Sequence, residues 1–187
     1  VGGDWERKGG PDLAAAFREV LRVLPNAQLT IVGAKPALDL PNCRVLGPLP
    51  AAEVSAQFSQ ASVFCLPTRL EPFGIAVLEA MQHRLPVVAT SEGALPEMVR
   101  DGVTGRIVRP GDVAQLSAAL IELLRNPPHC RQLGEAGFYL AQQCYTWPAV
   151  GARLRAEIVR FVGREISPST PPPTPAVHAA HAVHATT

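Results

Sequence analysis

Only two lysines occur in this sequence, Lys8 and Lys35, and neither stands in a context suited to a pyridoxal Schiff base. Charge of one sign is also scarce. The formal net charge is +1 with no basic stripe, so the electrostatic footprint of a nucleic-acid binder is absent. No G-x-G-x-x-G occurs, and the strand expected over Ala27–Gly33 ends without an acidic residue at its tip, which argues against nicotinamide-dinucleotide chemistry. The four cysteines, Cys43, Cys65, Cys130 and Cys144, lie far apart without C-x-x-C or C-x-x-H pairing. They read as reduced, packed thiols of a cytoplasmic protein, not as a disulfide framework or a metal site. No apolar run approaches the ~18 residues of a membrane span, and no signal peptide is recognisable.

What is present is enough apolar sequence, 47% of 187 residues, for one sizeable core. Strand-like and helix-like segments alternate, separated by short loops that end in Gly or Pro, which predicts a doubly wound, mostly parallel α/β sheet of Rossmann-like form. Val1-Gly2-Gly3 reads as a strand end, and Pro11-Asp12 opens a helix with an apolar stripe of Leu13, Phe17, Val20, Leu21 and Leu24. Further strands are expected at Cys43–Gly47, Ser62–Pro67, Leu85–Thr90 and Arg106–Val108. Helices are expected at Ala51–Ser59, Val113–Leu124, Arg131–Gln143 and from Thr146, as N-cap, to Phe161. Asn126-Pro127-Pro128 reads as a breaker, and Trp147 as a core anchor. The globular domain is therefore set at 1–162. Residues 163–187, rich in Pro, Ala, Thr and His, form an expected disordered tail, in which His178, His181 and His184 read as low-complexity drift in preference to a chelating set.

The chain is organised around Thr68–Met81, TRLEPFGIAVLEAM. An apolar strand runs into a tight loop containing Pro72 and Gly74, then into a helix whose Ile75, Leu78 and Met81 repeat at helical spacing. The N-terminus of such a helix carries unpaired N–H groups and the positive end of its dipole, and so favours phosphate. Glu71 and Glu79 frame it. Eight residues along a helix rise roughly 12 Å, too far for a hydrolytic carboxylate pair, which needs about 5–9.5 Å. The spacing suits a grip on the two ends of an elongated ligand with a phosphate at its middle, such as a nucleotide-sugar. The competing reading is an ordinary α/β loop with a helix-capping Glu. The glycine-rich turn with Arg7 and Lys8 is a second phosphate-suited loop, against which stands a solvated basic turn. Gly33 and Gly93 close two other loops at strand ends.

The run Glu71-Pro72-Phe73-Gly74-Ile75-Ala76-Val77-Leu78-Glu79 resembles the donor-binding motif of the family 4 (group 1) glycosyltransferases, retaining enzymes of the two-domain GT-B fold, and the resemblance extends from Val1 to about Phe161. It implies the C-terminal, donor-binding half of that fold. In the family's pattern Glu79 holds the ribose hydroxyls and Glu71 contacts hydroxyls of the donor sugar. The backbone of Phe73, Gly74 and Ile75, with Lys8 and Arg7, faces the diphosphate, the loop after Gly33 lines the nucleotide base, and Gly93 and Ala94 let backbone approach the donor sugar or phosphate. Relatives carry an Arg where this chain has Gly3, and a helix-ending Gly where it has Arg84; Arg7 is the candidate substitute for the first. His83 is expected to be a surface or capping residue, and Glu97 a structural one. The implied activity is retaining hexosyl transfer from a nucleotide-diphosphate sugar to an unknown acceptor. Without a D-x-D-like motif, no metal and no cofactor are expected. The acceptor domain is expected to be missing from this chain, and any membrane contact to be peripheral and made by that missing half. Two other readings stay open: a non-catalytic nucleotide-sugar binding module, and a relative performing epimerisation or phosphorolysis, the last disfavoured by the lysine count.

Overall fold

A computed structural model describes residues 2–162. The described residues fall into two units that divide after Val150. The predicted tail and its three histidines lie outside the described residues.

Helices and strands alternate in the order α1 (Gly10–Val23), β1 (Leu29–Val32), β2 (Cys43–Gly47), α2 (Ala51–Gln60), β3 (Phe64–Leu66), α3 (Ile75–Gln82), β4 (Val87–Thr90), α4 (Leu95–Met98), β5 (Gly105–Val108), α5 (Val113–Arg125), α6 (Pro127–Cys144) and α7 (Trp147–Val162). Every strand pair is parallel. The pairing falls into two pieces, β1 with β2 and β3-β4-β5, so β1 and β3 are not hydrogen-bonded to each other.

Helices cover both faces of the strands, and period-2 alternation shows why. Along the fully buried β4, Val87 and Ala89 join one apolar cluster while Val88 joins the other. The first cluster, around Phe58, Met81, Leu95 and Met98, gathers α2, α3 and α4. The second, around Phe17, Val20, Leu116 and Leu123, gathers α1 and α5. Each fully buried Leu or Met contributes about 1.5–3 kcal/mol of transfer free energy. The predicted stripe of α1 is the observed one, with Phe17 and Val20 buried and Leu13, Leu21 and Leu24 packed against them.

Helix ends follow their side chains. Asp112 caps α5 by accepting the Gln115 N–H at 2.9 Å, and the Thr146 hydroxyl accepts the Ala149 N–H at 3.4 Å where α7 begins. His83 is the C-cap of α3, and its two ring nitrogens each lie 3.1 Å from a serine hydroxyl, of Ser55 and Ser59. Arg84 takes the left-handed conformation, φ 57°, at the cost of about 1 kcal/mol for a side-chain-bearing residue. Its guanidinium pairs with Glu135 and lies 3.9 Å over the Phe138 ring, which offsets that strain.

Two expectations are overturned. Helix α6 starts at Pro127, not Arg131: the two prolines end α5, but they also occupy the first helical positions of α6, where no N–H is needed, and Asn126 accepts the His129 N–H as cap. Trp147 is no core anchor. It stands 90% exposed on the first turn of a helix that has no buried residue. The apolar periodicity of α7 is real, yet no residue of the helix is buried.

Candidate functional site

The loops at the carboxyl ends of the strands converge, and close backbone approaches decide how. Gly2 donates its N–H to the Val32 carbonyl at 2.9 Å and forms a parallel bridge with Gly33. Gly33 has φ 99°, and a Cβ there would stand 2.6 Å from the Gly2 oxygen. The Lys8 side chain lies along Gly2 and ends in an ion pair with Glu71. Gly93 follows β4 with φ 53°, and a Cβ on it would fall 1.8 Å from the Glu71 carbonyl oxygen. Only glycine combines that backbone conformation with that approach. Gly33, Gly2, Lys8, Glu71 and Gly93 thus form one continuous patch, assembled from four loops.

Glu71 is 8% exposed, and the ammonium of Lys8 offsets the cost of burying its carboxylate. The two residues, 63 positions apart, were each expected at the site but not as partners. Beyond Glu71 the chain passes Phe73 and reaches Gly74, the N-cap of α3. Among the described residues the N–H groups of Phe73, Gly74 and Ile75 have no hydrogen-bond partner, as at any helix start. The side chains of Phe73 and Ile75 are 47% and 66% exposed. Glu79 lies one helical turn beyond Ile75 on the same exposed face of α3. No contact joins it to the Lys8–Glu71 pair among the described residues.

A polar frame holds these loops together. Thr68, fully buried, shares its hydroxyl between the Arg7 and Leu70 carbonyls at 3.0 Å each, and its own carbonyl accepts the Thr90 hydroxyl at 2.7 Å. The Arg69 N–H donates to the Arg7 carbonyl at 2.9 Å, and its guanidinium pairs with the buried Asp12 of α1. The Arg69 guanidinium is thereby held in its charged form more firmly than usual, first by the hydrogen bond to Asp12 and then by that residue's charge.

Arg7 faces partners within the loops. Its guanidinium donates to Asp4 and to the Leu70 carbonyl, at 3.2 and 2.8 Å, so it braces the loops, and among the described residues Lys8 is the cation paired with Glu71. The backbone of the Arg7–Lys8 turn is likewise spent internally: the Lys8, Gly9 and Gly10 N–H groups donate to Asp4, Glu6 and Trp5. The phosphate-suited backbone is that of α3. The roles of Thr68, Arg69 and Asp12 escaped the sequence reading because they depend on pairings across 22 to 61 positions.

Residues 1–126 match the family described as "Glycosyl transferases group 1". The chain belongs to this family. A relative in Mycolicibacterium smegmatis, a GDP-mannose-dependent alpha-(1-6)-phosphatidylinositol monomannoside mannosyltransferase, is 35% identical over 79% of this chain and 44% of its own length. The sucrose-phosphate synthase of Thermosynechococcus elongatus superposes with a TM-score of 0.71 at 27% identity, over 84% of this chain and 43% of the synthase. The C-terminal domain of a group 1 glycosyltransferase from Francisella tularensis, LpcC, gives a TM-score of 0.71 at 22% identity, over 79% of this chain and 84% of that one, and shares its fold. This group 1 chain therefore has the α/β architecture of a GT-B half and corresponds to the C-terminal part of longer transferases. It spans less than half the length of the mycobacterial relative. No helix among its described residues is long and apolar enough to cross a membrane.

Proposed function

We propose that this chain is the donor-binding half of a retaining hexosyltransferase that uses a nucleotide-diphosphate sugar. One observation carries the reading. The Lys8–Glu71 pair stands at the start of the Glu71–Glu79 motif, whose Phe73, Gly74 and Ile75 N–H groups are without partners at the α3 N-terminus. A bound diphosphate accepts from those N–H groups and takes Lys8 from Glu71, which frees the Glu71 carboxylate for sugar hydroxyls. Glu79 meets the ribose. When the nucleoside diphosphate departs, negative charge builds on its phosphate oxygens, and fixed dipoles plus one cation stabilise that charge more than they stabilise the ground state. This chemistry requires neither metal nor cofactor. The acceptor site belongs to an N-terminal domain of the kind the longer relatives have room for, and four unbridged thiols fit a cytoplasmic setting.

The test is calorimetric titration with UDP-, GDP- and ADP-sugars, GDP-mannose first because a relative is named for it. Wild type binds one nucleotide class, and Glu79→Ala weakens it at least tenfold. A folded chain that binds none of them refutes the reading. A second reading, a non-catalytic nucleotide-sugar module, is favoured by one feature: with Arg7 bound to Asp4 and Leu70, and Gly3 without a side chain, Lys8 is the one cation paired with Glu71 among the described residues. Transfer assays on the longer protein separate the two. Under the first reading Lys8→Ala lowers turnover more than donor affinity; under the second there is no turnover to lower.

A further inference from the structure

The second of the two lysines, Lys35, is laid out as Lys8 is. Lys8 lies along Gly2, and Lys35 lies along Gly47 at the end of β2. A Cβ on Gly47, whose φ is 69°, would stand 2.3 Å from the Lys35 Cε and 3.0 Å from its Cγ, so the aliphatic stem fills the space a side chain would take. Gly47 is buried while Lys35 is exposed: the stem covers backbone and the ammonium reaches water. The glycines beneath the two lysines belong to one row. Gly2 bridges Gly33, and Gly33 donates its N–H to the Gly47 carbonyl at 2.7 Å. Three neighbouring strand ends span roughly 10 Å. The row carries no side chain of its own and has a lysine at each end. The Lys35 backbone is held in place from both sides. Ala34 before it is buried, and Pro36 after it disfavours helical backbone at Lys35. Among the described residues no hydrogen bond or ion pair engages the Lys35 ammonium, whereas that of Lys8 is paired with Glu71.

We propose that Lys35 selects the base of the nucleotide by donating to a ring carbonyl, so that this chain takes a guanine or uracil nucleotide in preference to an adenine one. The inference rests on the donor-site reading above and names the substrate class within it. The course of the ligand follows from the site. Glu71, which takes the sugar hydroxyls, has its backbone against Gly93 on the β4 side. The nucleoside therefore extends from Lys8 in the opposite direction, along the glycine row, where bare backbone lets a flat ring come close to the strand ends. Lys35 stands at the far end of that row. Its chemistry then sets the choice. An ammonium offers three donors and no acceptor. Guanine presents O6 beside N7, and uracil presents O4, all of them acceptors, whereas adenine places an amino donor where guanine has O6. Adenine thus brings a donor to a donor, and the carbonyl bases bring a partner.

Calorimetric titration of GDP, UDP and ADP into wild type, Lys35→Met and Lys35→Arg tests this. Methionine keeps an unbranched stem over Gly47 and removes the donors; arginine restores donors at that place. Wild type binds GDP or UDP at least tenfold more tightly than ADP. Lys35→Met brings that ratio to within about threefold, by weakening the favoured nucleotide and leaving ADP unchanged. It does so without a change in Tm, because the side chain is exposed. Lys35→Arg recovers the preference. A wild type that prefers ADP, or a ratio that Lys35→Met leaves intact, would overturn the assignment. So would equal weakening of all three nucleotides, which marks a cation that answers to phosphate and not to the base. In each of those outcomes a nucleotide still binds and the donor-site reading stands. A folded chain that binds none of the three refutes that reading, and the role of Lys35 falls with it.

Discussion

Gly93→Ala isolates the contact on which the site's geometry turns. Two costs are expected. The backbone at φ 53° is left-handed, which costs a residue with a Cβ about 1 kcal/mol. The new methyl would also sit 1.8 Å from the Glu71 carbonyl oxygen, where real contacts need at least 3.0 Å, so the Glu71 loop must move by about 1.2 Å. Displacing packed structure on that scale costs about 1–3 kcal/mol. Gly111→Ala is the matched control: φ is 77° and nothing lies within 4 Å of its added Cβ, so it carries the backbone cost alone. For a chain of this length about 1 kcal/mol corresponds to about 2–4 °C in Tm. Gly111→Ala should therefore lower Tm by about 2–4 °C and leave nucleotide-sugar affinity unchanged. Gly93→Ala should lower Tm by about 4–16 °C and weaken that affinity at least tenfold, because Glu71 and the α3 N-terminus are displaced together. Differential scanning calorimetry and titration of the two variants decide the matter. Equal Tm losses in both would show that the Glu71 loop yields freely and would refute the argument that Gly93 positions it.

Two further expectations concern titrating groups. The Asp112 carboxyl is held below the usual range, chiefly by the Gln115 N–H and then by Arg109. A depressed folded-state pKa means that the cap stabilises the fold above the unfolded value of about 4 and loses that effect as pH falls through the folded value. The Tm gap between wild type and Asp112→Ala should accordingly be constant from pH 7 to about 5 and narrow below about 4; a gap unchanged at pH 2 refutes the assignment. Burial pushes the Cys65 thiol up to about 12, so its thiolate fraction at pH 8 is on the order of 1 in 10,000. Iodoacetamide at pH 8 should leave Cys65 unmodified in the folded chain over a time that labels a free thiol completely, and mass spectrometry showing rapid stoichiometric labelling there would contradict its apolar surroundings.

The elements were legible because this fold punctuates itself. Apolar stripes at period 3.6 mark α1 and α5, continuous apolar runs mark strands buried on both faces, and Gly or Pro stands at nearly every boundary. That Lys8, Gly33, Glu71 and Gly93 lie near one another was legible because loops at the carboxyl ends of parallel strands share one edge. Their mutual arrangement was not. That Lys8 meets Glu71, that Arg7 braces Leu70, and that Asp12 anchors Arg69 all depend on side chains crossing between loops 57 to 63 positions apart, and no local pattern encodes such a meeting. Proline misled at Pro127 because one residue type both ends a helix and begins one. Trp147 misled because apolar periodicity reports that a face is suited to burial without naming what buries it.

The frame built by Thr68, Arg7 and Arg69 also has a kinetic meaning. The loop bearing Lys8 and the loop bearing Glu71 are laced together by bonds that do not involve either functional group. Parting the ammonium from the carboxylate to admit a ligand therefore calls for no hinge. It needs rotation about the side-chain bonds of two residues, a smaller motion than the opening of a loop or domain. Under the proposed function, then, the cation and the carboxylate can part for a ligand while the backbone that carries them stays laced in place.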